Sequence, residues 1–296
     1  MPPTRPTQPA SKWLVSTDWL ASRLRSPDLV VVDGSFYLPA QKRDAAAEYT
    51  AGHIPGAVRF DIDEISDHSN PLPHMLPEPA DFAVHARRLG VEPSSRVVVY
   101  DGHGIFSAPR VWWSFRAMGH ANTFVLDGGL TKWIAEAHPV EAGWPLRDHG
   151  EFKAHPDAGL VRDIEHVRAA LAGGTEQLVD ARPAGRFTGE TQEPRAGLRS
   201  GHMPGARNVP SSSVITPQGT LADAASLERL FAEAGVDLDR PIVTTCGSGV
   251  SAAILSLALA RLGRVNIPVY DGSWTEWGGR DDTPVVTGPA DAAVPA

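Results

Sequence analysis

The feature that most constrains this chain is that it repeats itself. Gly52-His53-Ile54-Pro55-Gly56-Ala57 returns as Gly201-His202-Met203-Pro204-Gly205-Ala206. Asp127-Gly128 returns as Asp271-Gly272, and Trp133 returns as Trp277. The three landmarks keep their order and stand 149, 144 and 144 residues apart. Such a near-constant offset is very improbable by chance. The chain reads as one domain duplicated, so any fold assigned to it must fit into roughly half of its 296 residues, an ordinary domain size.

Within each half, helical stripes alternate with short apolar runs. Leu29-Val30-Val31-Val32 and Val97-Val98-Val99-Tyr100 are continuous apolar runs, as strands covered on both faces require. In the second half Leu178-Val179 and Pro241-Ile242-Val243 play that part. Helices are expected over Trp19–Leu24, Phe82–Leu89, Leu130–Ala135, Asp163–Leu171 and Ala252–Leu262, with Ser16-Thr17-Asp18 a helix start and Gly263 a helix stop. The alternation predicts an α/β fold, a parallel sheet in each half with helices on both faces. The expected organisation is a disordered tail over 1–11, a first domain over 12–142 and a linker over 143–159. A second domain over 160–288 and a tail over 289–296 follow.

Cys246 is the only cysteine in the chain. A strand leads into it, Gly247-Ser248-Gly249 curls the backbone, and a helix begins behind it. A strand-to-helix turn of this kind aims several backbone N–H groups and the positive helix end at one point. A sulfur placed there is expected as thiolate, the nucleophilic form. Alignment of the halves puts Asp101 where Cys246 stands, and a carboxylate cannot carry transferable sulfur. The first half is therefore expected to be catalytically silent.

Cys246-Gly247-Ser248-Gly249-Val250-Ser251 resembles the active-site loop of the rhodanese superfamily, and most closely its 3-mercaptopyruvate sulfurtransferase branch, Cys-Gly-Ser/Thr-Gly-Val-Thr. The thiosulfate branch typically carries Cys-Arg-Lys-Gly-Val-Thr, whose two cations are absent here. Ser251 replaces the usual threonine and keeps its hydroxyl. The resemblance spans nearly everything from Trp13 to Val286 and implies the tandem rhodanese architecture. It further implies that Gly247, Gly249, Val250 and Ser251 line the substrate site beside Cys246. Arg186 and Arg195, nine residues apart, match the pair that grips the substrate carboxylate, a task suited to the planar guanidinium fork. Arg182 and Arg199 receive no role. Asp63, His74 and Ser248 match the family's proton relay, which requires the long loop over 61–79 to reach the catalytic domain. His53 and His202 are expected to be structural, since both halves carry them and only one has a nucleophile.

The implied reaction is a double displacement through covalent catalysis. Cys246 takes sulfur from 3-mercaptopyruvate as a persulfide, pyruvate leaves, and a thiol acceptor such as thioredoxin, or cyanide, removes the sulfur. With no second cysteine the removal must be intermolecular. No metal or organic cofactor is expected. Rival readings are a thiosulfate sulfurtransferase, a cysteine phosphatase and a non-catalytic binding module. The phosphatase pattern Cys-X5-Arg fails because the sixth residue after Cys246 is Ala252.

Composition narrows the surroundings. A net charge of −8 leaves no electrostatic footprint for nucleic acid. No apolar run approaches the roughly 20 residues a membrane span needs, and residues 1–10 lack the apolar core of a secretion signal. One cysteine allows no internal disulfide, so a reducing cytoplasm is the expectation. A monomer is expected.

Overall fold

The computed structural model describes residues 12–290, so the tail expected at 1–11 lies outside them, as does most of the one at 289–296. The chain divides into two compact units. Within the described residues the first takes 12–65, 78–156 and 217–221, and the second takes 66–77, 157–216 and 222–290. Two short stretches thus depart from a simple division by sequence order. Each unit incorporates a segment from the other's half of the sequence.

In the first unit the strands are β1 (Leu14–Val15), β2 (Leu29–Asp33), β3 (Val58–Arg59), β4 (Arg96–Tyr100) and β5 (Thr123–Leu126). They form one parallel sheet in the order β1-β5-β4-β2-β3. The helices are α1 (Thr17–Ala21), α2 (Ala45–Ala51), α3 (Pro79–Arg88), α4 (Ala108–Ala117) and α5 (Gly129–Ala135). Ser16 caps α1 by accepting the Trp19 N–H at 3.1 Å, and Pro109 sits in the first turn of α4, where its missing N–H costs nothing. β2 is buried along its length and β4 from Val97 onward, the burden of a sheet covered on both faces. Val31, Val98, Tyr100, Leu126 and Trp133 share one core.

The second unit repeats the plan. Its strands are β6 (Val161–Arg162), β7 (Gln177–Asp180), β8 (Arg207–Asn208), β9 (Ile242–Thr245) and β10 (Val269–Tyr270). Their order, β6-β10-β9-β7-β8, is the same permutation, again all parallel. The helices are α6 (Ile164–Gly173), α7 (Ala184–Thr188), α8 (Ala224–Glu233), α9 (Ala252–Arg261) and α10 (Ser273–Trp277). Nine consecutive residues of α9, Ala252 to Ala260, are buried, which explains why its sequence is apolar all round. No helix among the described residues is long and apolar enough to cross a membrane.

The stretch expected as a linker is mostly packed chain. Gly150, Phe152 and His155 donate their N–H groups to Arg87, Val91 and Met118 of the first unit, and the Phe152 ring packs against Phe82 and Phe115. The repeated histidines are architectural. His53 stacks on Tyr49 at 4.2 Å and His202 on Phe187 at 3.8 Å, each with Nδ1 bonded to the carbonyl of the residue it stacks on. Burial lowers the His202 pKa, so the neutral ring is the folded form.

Asp101 follows β4 as Cys246 follows β9. Its carboxylate is fully buried and accepts four backbone N–H groups. His103 bonds Oδ1 at 2.9 Å, while Phe106, Ser107 and Ala108 bond Oδ2 at 2.7, 2.9 and 2.8 Å. The side chain is an internal anion filling the cradle at the start of α4. Asp101→Ala should leave those donors in a dry site and cost about 2–4 kcal/mol of stability. Urea unfolding checks this, and an unchanged midpoint would show that water replaces the carboxylate without penalty.

Candidate active site

β9 brings Cys246 to the carboxyl end of the second sheet, and α9 begins at Ala252. In the turn between them Gly249 takes φ +77°, a conformation a β-carbon would oppose. Cys246 is 1% exposed, Ser248 and Val250 are buried, and Ser251 is half-buried.

The turn after β10 holds this loop from the side. The Cys246 N–H donates to Ser273 Oγ at 3.3 Å, and that hydroxyl donates in turn to the Tyr270 carbonyl at 2.7 Å. The Cys246 carbonyl accepts the Trp274 N–H at 2.9 Å. The Gly247 carbonyl accepts from Thr275 twice, from N–H at 2.9 Å and Oγ1 at 2.6 Å. Ser273 does this from φ +50°, unusual outside glycine. Its counterpart in the first unit is Gly129, at φ +53°. Reading the repeat residue by residue would have exposed Ser273 as a side chain kept at a glycine position.

Both expected arginines stand over the loop. A β-carbon on Gly247 would lie 3.2 Å from Arg186 Nη2 and 4.0 Å from Arg195 Nη1. Gly247 is thus the gap into which Arg186 fits. Arg186 is oriented from behind by Glu193, whose Oε1 accepts Nε at 3.2 Å and whose Oε2 pairs with Nη2. The same carboxylate accepts Arg182 Nη1 at 2.8 Å.

Arg182, for which the sequence suggested no role, is the anchor of this network. It is 1% exposed, lies 4.1 Å from the Trp274 ring centroid, and forks onto Asp180 with Nε at 2.9 Å and Nη2 at 2.7 Å. Burial opposes its charge, but Asp180 and Glu193 outweigh that and raise its pKa. Asp180, Arg182, Glu193 and Arg186 form an alternating chain of charge, neutral in sum. Arg195 is different. Among the described residues no carboxylate pairs with it, and its Nη2 faces His74 Nε2 at 3.5 Å. Arg199 is structural: it donates to the carbonyls of Trp277, Gly278 and Thr283 behind α10.

His74 belongs to the second unit through the segment 66–77 and is 7% exposed. Asp63 lies in the first unit's part of the same loop, exposed, its N–H held by Asp61 Oδ1 at 3.0 Å.

The described site therefore combines a loop-borne thiol with two guanidinium groups and a histidine at the end of a parallel sheet. A family model of the rhodanese-like domain matches the chain twice, over residues 16–136 and 163–280. The chain belongs to the rhodanese family. Its two units are tandem rhodanese domains. It is 45% identical over 277 residues to the 3-mercaptopyruvate sulfurtransferase of Escherichia coli K12, covering 93% of this chain and 98% of that one. It is also 43% identical over 276 residues to the thiosulfate sulfurtransferase of Gallus gallus, covering 91% and 94%. The crystal structure of SseA from Escherichia coli, a 3-mercaptopyruvate sulfotransferase with the rhodanese fold, superposes with a TM-score of 0.82 at 44% identity, covering 88% of this chain and 98% of that one.

In the sequence Glu193 enters only as part of the Glu193-Pro194-Arg195 stretch around Arg195, with no role of its own. Its removal strips a shared acceptor from two arginines, one fully buried. Glu193→Ala should cost about 3 kcal/mol in chemical unfolding, and Glu193→Gln, which keeps one acceptor oxygen, clearly less. Equal costs for the two variants would mean that packing, rather than charge pairing, is what Glu193 contributes.

Proposed function

We propose that this rhodanese moves sulfur from 3-mercaptopyruvate to a thiol acceptor through a persulfide on Cys246. The observation that carries the reading is the convergence of Arg186 and Arg195 on Gly247, beside the one thiol in the chain. Two guanidinium groups suit a donor whose carboxylate must be fixed while its sulfur faces Cys246. Arg195, without a carboxylate of its own among the described residues, supplies the uncompensated charge.

In the first step the Cys246 thiolate attacks the donor sulfur. A sulfur–sulfur bond forms, the sulfur–carbon bond breaks, and its electron pair stays on carbon as the enolate of pyruvate. The proton lost by the donor thiol is the one that carbon gains, so the step needs a carrier rather than an external acid. Ser248, His74 and Asp63 are assigned that relay. In the second step an acceptor thiolate, thioredoxin-like, or cyanide takes the outer sulfur and Cys246 leaves as thiolate. Gly249, Val250 and Ser251 contribute the loop backbone.

The silent half indicates how the anion is held. An anion at the Asp101 position takes the N–H groups two, five, six and seven residues on. The catalytic loop is one residue shorter before its helix, so the matching groups are those of Ser248, Val250, Ser251 and Ala252, the donors proposed for the outer sulfur. Asp101 itself keeps the first domain out of the chemistry. Cys246, both arginines and His74 belong to one unit, so a monomer suffices. A single cysteine suits a reducing compartment such as the cytoplasm.

The neutral Gly247-Ser248 pair favours mercaptopyruvate over the thiosulfate dianion, which a cationic loop would serve better. Intact-mass spectrometry after exposure to each donor tests this. Wild type should gain one sulfur atom from 3-mercaptopyruvate, and folded Cys246→Ser should gain none and transfer none. A sulfur gain by Cys246→Ser would remove the nucleophile from the mechanism.

The two arginines make a separate expectation. Arg186→Ala and Arg195→Ala should each lower kcat/KM for mercaptopyruvate about ten- to a hundredfold, by loss of one charge-assisted contact. Thiosulfate turnover should fall less. Wild-type protein that turns over thiosulfate more efficiently than mercaptopyruvate would reverse the donor assignment.

A further inference from the structure

The repeated Asp-Gly turn after the last strand of each sheet has a second use. In the second unit Asp271 Oδ2 accepts the Leu76 N–H at 2.7 Å. Leu76 lies two residues after His74, in the segment 66–77 that this unit takes from the first half of the sequence. In the first unit Asp127 Oδ1 accepts the Leu221 N–H at 2.9 Å. Leu221 ends the segment 217–221, which that unit takes from the second half. Both partners are related by the duplication. Asp127 and Asp271 stand 144 residues apart, and Leu76 and Leu221 stand 145 apart. The same carboxylate-to-amide bond thus secures the borrowed segment in both units.

We infer that Asp271 is a positioning residue for His74, locking the segment that carries it into the catalytic unit. The inference rests on the relay assigned to His74 above. His74 takes φ +62°, a left-handed conformation that a non-glycine residue keeps only where the surroundings impose it. Around it the segment is closed by the Asp67 N–H donating to the Met75 carbonyl at 2.9 Å. At the next residue the Asp271 bond to Leu76 fixes the chain to the turn that also holds Cys246 through Ser273 and Trp274. Histidine and cysteine are thereby referred to one rigid turn. Asp127 performs the matching task where there is no nucleophile, so its lock is structural alone.

The test separates the lock from the chemistry. Hydrogen–deuterium exchange of the full chain reads the lock, and steady-state turnover of 3-mercaptopyruvate with cyanide reads the consequence. Asp271→Ala should raise exchange over 66–77 and lower kcat about tenfold with a smaller change in KM. Asp271→Asn should recover most of both, since its side-chain oxygen accepts the same N–H. Should Asp271→Ala not fold, Asp271→Ser, whose hydroxyl falls short of Leu76, takes its place. His74→Ala should lower kcat about a hundredfold, and adding Asp271→Ala to it should change turnover no further. Asp127→Ala should raise exchange over 217–221 and leave turnover unchanged. Unaltered exchange over 66–77, or equal losses from Asp271→Ala with and without His74, would overturn the inference. Wild-type turnover in His74→Ala would instead overturn the relay, and exchange over 66–77 would then judge the lock alone.

Discussion

Backbone N–H groups gathered at the end of a parallel strand demand an anion, and both halves of this molecule are built around that demand. The donors at the start of α4 are pointed inward by the loop, away from water, and a buried N–H without a partner is costly. In the first unit the demand is met permanently, by the Asp101 carboxylate with its four bonds. In the second, Cys246 occupies the corresponding place at the end of β9. A carboxylate and the proposed persulfide are both anions, but only one can come and go. Under the proposed reaction the duplication keeps one cradle filled for stability and leaves the other for a transient occupant.

A site that must attract an anionic substrate has to hold cations close together, and these would repel unless compensated. The compensation here is layered. Arg182 is so deeply buried that it needs both Asp180 and Glu193, while Glu193 also orients Arg186. The buried layer closes on itself, and the charge that faces outward is carried by Arg195. Its neighbour His74 presents a ring nitrogen to it at 3.5 Å. The uncompensated charge therefore sits beside the cysteine loop rather than where it would strain the core.

Much of this was legible because it is local. The halves, the parallel sheets and the helix starts at Ser16 and Pro109 follow from short patterns with strong physical causes, as does the cysteine turn. The convergence of Arg186 and Arg195 came only through family resemblance, because a loop arginine carries no sign of where its guanidinium lies. Arg182 was illegible for a different reason. Its partners are two and eleven residues away and the ring beneath it is Trp274, an arrangement that no spacing rule anticipates. The domain division failed in detail at 66–77 and 217–221 because these segments have no helix or strand period to betray the unit that holds them. Yet the signal existed in the repeat itself, since Asp127 with Leu221 and Asp271 with Leu76 keep the offset of the other landmarks.

The comparison between halves also shows why the nucleophile alone does not make a site. Above Gly247 stand two guanidinium groups, those of Arg186 and Arg195. Above the equivalent Gly102 lies the Tyr37 hydroxyl, so close that a β-carbon could not be accommodated. Tyr37 donates to Glu48 at 2.7 Å, and Arg43 stacks on its ring 3.7 Å from the centroid while pairing with the same Glu48. The Arg43 guanidinium is therefore already committed to Glu48, and the His103 ring packs edge-on to Tyr37 at 5.0 Å. Exchanging Asp101 for cysteine would supply a thiol with its cradle, but a phenol would occupy the ground on which a donor has to stand. The silence proposed for the first domain thus has two grounds, one in the loop and one in the cover above it.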